Sequence, residues 1–329
     1  GKIKDDYFKH LMANNSFNPE LEKMMLECSA FTTTLTFMKN SGIQIVRYNH
    51  QPFSEADNSI VKRFGKVFEQ AYIRFLDLQK AEAQARESQI EAALEKVRSR
   101  SLAMHKPEEL QEVVAVVAEK LQELGVIFDA GGVILCTYFQ DSKDVMHWIA
   151  VPDFSSSGSY LVPYFDNPIF NDAWDSKNKG DTYFSKEFSV EAKNSFFKHA
   201  FENSDYSHFP DDYKQHVLQA EKHTLTAAWS KNSAIIIPSL TGAVPTESDA
   251  EIMKRFAKVF EQAYIRFMDL QKSEAQAREA QIEAALERLR AQSMAMHKTE
   301  ELSDVVKSLF EELKPFGFAK SGCELILVD

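Results

Sequence analysis

A chain of 329 residues with a formal net charge of −11 has length for about two domains, and its charge disfavours nucleic acid or an anionic membrane surface as the main partner. No run approaches the roughly 18 apolar residues of a membrane span, so no membrane insertion is expected in this segment, and Gly1-Lys-Ile-Lys4 is no signal peptide. The three cysteines, Cys28, Cys136 and Cys323, have no metal or disulfide spacing and read as buried or incidental thiols of a reducing compartment, which points to the cytoplasm.

Residues 1–50 contain Tyr7-Phe-Lys-His10 and the strand-like Ser41-Gly-Ile-Gln-Ile45. Ser54-Glu-Ala-Asp57, just after Pro52, has the spacing of a capping box and predicts a helix start. Only Gly65 interrupts good helix formers before Pro107, so one helix over 55–105 is expected, about 75 Å long at 1.5 Å per residue. Ile60, Phe64, Val67, Phe68, Ala71, Tyr72, Phe75 and Leu78 cover a face too broad for a simple two-stranded seam. That width suits packing on a globular domain and on a second helix together. Ala81–Ala93 is rich in Ala, Glu and Gln, and the spacing from Leu78 to Ile90 breaks the heptad register. Ile90, Leu94, Val97, Ser101 and Met104 then resume a narrow stripe, which reads as an associating helix.

The chain restarts at Pro107, and Leu110, Val113, Val114, Val117, Leu121 and Leu124 mark one face of a helix that Gly125 is placed to end. Strands are expected over 133–139, 145–151 and 158–163, a short helix over 169–174, and a strand over 182–188. Helices over 190–201 and 211–222 and strands over 225–229 and 234–237 complete the region. Thr246-Glu-Ser-Asp249, after Pro245, repeats the helix-start signal of residues 54–57.

The repetition is general. Residues 61–106 recur at 253–298 with 36 of 46 positions identical, at an offset of 192 residues. Weaker matches link Tyr7-Phe-Lys-His10 to Phe196-Phe-Lys-His199 once a three-residue gap is allowed, the chain around Ser41–Ile45 to Asn232–Ile237, and Pro107-Glu-Glu-Leu110 to Thr299-Glu-Glu-Leu302. A constant helix alternating with a divergent globular segment is the pattern of an array. The expected organisation is the last part of an α+β domain (1–50), a coiled-coil helix (54–106), a complete domain (107–245), a second coiled-coil helix (246–298), and the first part of a further domain (299–329). The chain then reads as a window onto a longer protein.

This arrangement, an antiparallel sheet flanked by incoming and outgoing helices, resembles the GAF-like sensory domain. It resembles more closely the tandem GAF-like repeats of bacterial multi-domain sensor histidine kinases. The segments that carry the resemblance are 253–272, Glu283-Ala-Ala-Leu-Glu-Arg288, Ala295-Met-His-Lys298 and Glu300-Glu-Leu302. It implies a non-catalytic sensory and signal-transmission module in a cytoplasmic parallel homodimer. Its helices would relay a ligand or conformational state to an output domain of the same protein, a kinase in those relatives; no kinase ATP-binding segment occurs here. A structural spacer array that binds no ligand is the alternative. Phe64, Phe68, Phe75, Leu94, Val97, Phe256, Phe260, Phe267, Leu286 and Leu289 are the expected dimer-helix positions. The outgoing helix near Phe256–Leu270 is also expected to pack on the helix over 108–124.

Candidate chemistry is sparse. His105 and His297 end the two constant helices and invite comparison with a phosphoacceptor, a second alternative. A Lys follows each instead of the usual acid, and a junction residue near a helix C-terminus is the plainer reading. His199, His208, His216 and His223 lack the three- or four-residue spacing of zinc helices. Cys136, in an apolar strand, does not suit a covalent chromophore. No phosphate loop, catalytic triad or cyclic-nucleotide signal is present, and no motif identifies a cofactor. The candidate small-molecule pocket is Tyr138, His147, Trp148, Tyr160, Phe184 and Trp229, rings near expected strands, with core packing as the plainer reading.

Overall fold

Both long helices begin where a hydroxyl and an acid satisfy each other's backbone neighbours. Ser54 Oγ accepts from Asp57 N while Asp57 accepts from Ser54 N, and Thr246 and Asp249 repeat the exchange. The structure, a computed structural model, describes residues 2–130, 132–151, 158–298 and 301–318. It is a mixed α+β protein with antiparallel sheets and long helices. The chain separates into two compact units, residues 1–89 and 90–329.

The first unit contains α1 (Lys2–Asn14), α2 (Pro19–Glu27), the hairpin β1 (Thr32–Phe37) and β2 (Gly42–Arg47), and most of α3 (Glu55–Leu102). Phe8 and Met25 are buried, and Phe8 packs on Phe31 and Tyr48. The hairpin turn is held by α3: Glu69 accepts from Asn40 N, Asn40 Nδ2 and Ser41 Oγ. Gly65 is the one break in the helix-former run, and its need is steric. A Cβ there would lie 2.8 Å from Met38 Sδ. At the equivalent positions of the second unit the pair is Ala257 and Ser230, a smaller hairpin residue beside a larger helix residue.

The second unit is built on a six-stranded antiparallel sheet in the order β5-β4-β3-β8-β7-β6. Its strands are β3 (Val133–Tyr138), β4 (Val145–Ala150), β5 (Gly158–Val162), β6 (Tyr183–Phe188), β7 (His223–Trp229) and β8 (Ser233–Ser239). One face carries the last turns of α3, then α4 (Leu110–Glu123) and the first half of α8 (Glu247–Met294), which close one apolar core with the sheet. Ion pairs Arg100–Glu112 and Arg255–Glu91 join these helices in pairs. The other face carries α5 (Pro168–Lys179), α6 (Val190–Asn203) and α7 (Asp211–Gln219), which enclose a second core rich in aromatic rings. A last helix, α9 (Leu302–Leu313), lies against the tail of α8, where Arg288 pairs with Glu312. The expected segment 299–329 is described only over 301–318, and Cys323 lies outside the described residues.

The expected helices and strands all form, with shifted ends. Gly125, at φ 86°, follows the end of α4 as its composition suggested. The expected helix over 169–174 instead runs to Lys179, because its stop signal is Gly180 at φ 83°.

The expected dimer positions divide. Leu94, Val97, Phe256, Phe260 and Phe267 are buried inside the second unit, in the core shared by α3, α4, α8 and the sheet. They are committed to packing within the chain and are not free for a second copy. Phe64, Phe68, Phe75 and Leu286 are exposed, and Leu289 is half-buried. The expectation that Phe256–Leu270 packs on the helix preceding the sheet agrees with the shared core. No described helix is long and apolar enough to cross a membrane.

Candidate functional site

Between the sheet and the α5–α7 layer lies a cavity of about 100 Å³. Strand pleating decides which side chains reach it, since alternate residues point to opposite faces. Ile134, Cys136 and Tyr138 of β3 face the cavity, as do Val145, His147 and Ile149 of β4, and Leu225 and Trp229 of β7. Phe170, Ala173, Trp174 and Lys177 cover it from α5, at the i, i+3, i+4, i+7 spacing of one helix face. Asn167 caps that helix by accepting from Ile169 N, which fixes where the face begins.

Of the six expected pocket residues, Tyr138, His147 and Trp229 line the cavity. Tyr160 stands beside it, packed on Tyr206 and Phe209 with ring centroids 5.7 and 4.7 Å away. Phe184 backs Trp229 at 6.0 Å. Trp148 does not belong to the site. It pairs with Leu135 across β3 and β4, joins the core on the opposite face, and donates Nε1–H to Thr137 Oγ1 at 3.4 Å. His147, one residue earlier, pairs with Cys136 and faces the cavity.

The polar groups of the cavity are few and mostly uncharged. His147 Nδ1 shares a 2.7 Å hydrogen bond with Tyr206 Oη, and burial pushes the imidazole down to about 4. Burial likewise lowers His223 to about 4, opposed by the Ser239 backbone. The Cys136 thiol is pushed up to about 12 by burial, so it is a neutral thiol at pH 7 and a poor nucleophile. Burial raises the Tyr138 phenol well above its ordinary range. Tyr138 Oη and His223 Nδ1 are both buried and make no hydrogen bond of normal geometry; the nearby Cys136 thiol is only a weak partner for the phenol. Trp229 Nε1 is satisfied, donating to Ser176 Oγ at 3.1 Å.

Lys177 is the charged residue of the lining. Its ammonium stands 4.4 Å from the Tyr138 ring centroid and 5.6 Å from that of Trp174, and it donates to the Lys231 carbonyl at 3.0 Å. Burial lowers its pKa, with the Glu261 charge among the influences acting the other way. The sequence reading missed Lys177 because it ended the helix at Trp174. The Gly180 signal would have placed Lys177 three residues beyond Trp174 on the same face.

This end of the cavity is tied to α8. Lys177 holds the Lys231 carbonyl, Tyr138 N donates to Asn232 O at 3.3 Å, and the same turn is clamped by Glu261. Glu261 accepts from Asn232 N at 2.9 Å, Asn232 Nδ2 at 2.8 Å and Ser233 Oγ at 2.6 Å.

Elsewhere, Lys193 is fully buried for a structural reason: Nζ donates to the carbonyls of Val217, Leu218 and Ala220 at the end of α7. His105 and His297 follow the ends of α3 and α8, where their backbone N–H groups donate to Glu109 and Glu301. Among the described residues no group of three or more His, Cys, Asp or Glu is placed to hold a metal. His199 stacks on Phe165 at 3.8 Å, and His208 Nδ1 lies 3.0 Å from the Asp205 carbonyl. No known protein family and no curated protein matches this chain.

Proposed function

We propose that the second unit is a GAF-like sensory domain, that the chain is a non-catalytic signal-transmission module, and that α8 carries the state of the cavity onward to an output domain. The observation that supports this most is the linkage from cavity to helix. Lys177 and the Tyr138 backbone hold the β7–β8 turn, and Glu261 of α8 grips that same turn. A small molecule that moves Lys177 or Tyr138 acts on a turn already bonded to the outgoing helix. The recurrence of the constant helix at 61–106 and 253–298 fits one transmission element serving successive domains with a period of 192 residues. The working assembly is a parallel homodimer in the cytoplasm, joined through the exposed stripes of the long helices as coiled coils, including Phe64, Phe68, Phe75 and Leu286.

The test is hydrogen exchange along α8 with and without a compound retained by the protein from a metabolite mixture, read by native mass spectrometry. A retained compound that changes protection around residues 255–270 is the expected result. A retained compound that leaves α8 unchanged, or no retained compound, would put the spacer-array reading ahead.

A further inference from the structure

We propose that the cavity of the second unit takes a small monocarboxylate with a compact apolar tail, its carboxylate on Lys177 Nζ and Tyr138 Oη and its tail beneath α5. The proposal rests on the reading of this cavity as a ligand site, and it follows from what the lining offers and what it lacks. Lys177 Nζ uses one of its three hydrogens on the Lys231 carbonyl, and among the described residues no carboxylate lies within ion-pair distance of it. The Tyr138 hydroxyl is buried beside it with no conventional partner. A buried donor left unpaired is costly, and a carboxylate oxygen is the acceptor that both groups can share.

The rest of the lining argues against other head groups. No Asp or Glu lines the cavity, so a cationic ligand finds no counter-charge there. A phosphate would meet one lysine and no arginine, and the first turn of α5 in the lining lies at the other end of the helix from Lys177 with its Ile169 N–H already capped by Asn167, a weak site for a doubly charged group. His147 is already bonded to Tyr206 and stays neutral. Size sets the tail. An engineered cavity of about 150 Å³ holds benzene, so about 100 Å³ takes nothing bulkier than one small ring or a short chain, and no nucleotide or tetrapyrrole. The aromatic walls, with Phe170, Trp174 and Trp229 among them, favour a ring.

The test compares phenylacetate, its neutral amide phenylacetamide, and ethylbenzene by isothermal titration at pH 7, with tryptophan fluorescence as a second readout. Trp174 and Trp229 line the cavity and report occupancy directly. Phenylacetate is expected to bind about tenfold or more tighter than phenylacetamide, the difference a hydrogen bond to a charged group makes. Lys177→Met and Tyr138→Phe are each expected to weaken phenylacetate by about tenfold while leaving ethylbenzene within about twofold. Tyr138→Phe removes only an unpaired hydroxyl, so it keeps the test valid if Lys177→Met fails to fold. Equal binding of acid and amide, or phenylacetate binding that neither variant changes, overturns the carboxylate assignment and leaves the cavity a ligand site. Failure of all three compounds, ethylbenzene included, overturns the ligand site itself.

Discussion

The two long helices of this chain carry nearly the same residues and meet different fates. Phe64 is 65% exposed and Phe68 51%, while Phe256 and Phe260, at the equivalent positions, are 0% exposed. In the second unit, α4 and the strands β7 and β8 lie over that face. In the first unit the element held against α3 is a two-stranded hairpin, which meets it at Asn58, Gly65 and Glu69. The helix tails reverse the pattern. Leu94 and Val97 are buried by α4 and α8, whereas Leu286 is exposed and Leu289 half-buried beside α9. A helix stripe therefore specifies that something apolar should cover it, and the neighbouring elements decide what does.

Substitutions at paired positions of the two helices should have unequal effects. Phe260→Ala should destabilise the second unit by about 3–5 kcal/mol, because the ring leaves a cavity in a closed core. Phe68→Ala, chemically identical, should change the stability of the monomer by no more than about 0.5 kcal/mol, with a larger loss expected only at concentrations where the proposed dimer forms. Calorimetry on both variants decides it. A large effect at Phe68 means that face is covered in solution, by a second copy or by more of the protein. All three tryptophans lie in the second unit, so fluorescence melting isolates its transition.

The glutamate clamps should give a smaller effect. Glu261→Ala leaves the Asn232 donors unpaired in a partly buried turn and the buried Ser233 hydroxyl without its acceptor, and should cost about 1–3 kcal/mol, read by the same fluorescence melt. In the first unit the Ser41 hydroxyl, with Asn40, holds the Glu69 carboxyl below its usual range. Its contribution is therefore full above the ordinary carboxylate pKa of 4.5 and is lost as pH falls below it. Acid unfolding of Glu69→Gln, followed by circular dichroism, should lose part of that dependence.

The buried histidines distinguish the units by pH. His147 and His223 sit near 4 when folded, against an ordinary 6.5, so the folded state excludes protons that the unfolded chain binds. Their stabilisation is complete above about 6.5 and declines as pH falls towards 4. His147→Asn should reduce the proton uptake on unfolding near pH 5 by about one, a slope change of about 1.4 kcal/mol per pH unit. The first unit has Phe31 where the second has His223, so its melting should lack this share of the dependence. The smallest effect is expected at Gly65→Ala. The gain in helix propensity, about 1 kcal/mol, is opposed by the contact with the flexible Met38 side chain. Pairing it with Met38→Ser and Thr36→Ala, which recreates the second unit's Ala257, Ser230 and Ala228 and removes both close contacts, should make the change stabilising in thermal melts.

Much of the fold was legible because its signals are local. Capping residues, glycine stops and strand alternation placed the elements of residues 107–245 in their observed order. The site was legible only in part. Tyr138, His147 and Trp229 were found, but Trp148 was grouped with them because sheet parity depends on register, and register follows from pairing that composition does not reveal. Lys177 was missed through a helix end set one turn too early. Leu94 and Val97 show the deeper limit. Their stripe announced burial, yet a stripe looks the same whether α8 of the same chain or another copy covers it.

Twenty-eight residues separate Ser41 from Glu69, and 28 separate Ser233 from Glu261. Each helix residue turns the side-chain direction by about 100°, so one residue inserted between the helix start and the glutamate would swing the carboxylate away from the turn. Side chains along the helical part are free to diverge, as Gly65 and Ala257 do, but the count from helix start to glutamate is not. Chimeras between such units should therefore be joined at matching positions of the hairpin turn, keeping the count to the glutamate. The exposed helical stretch after Leu78 is where residues can be added without disturbing either clamp.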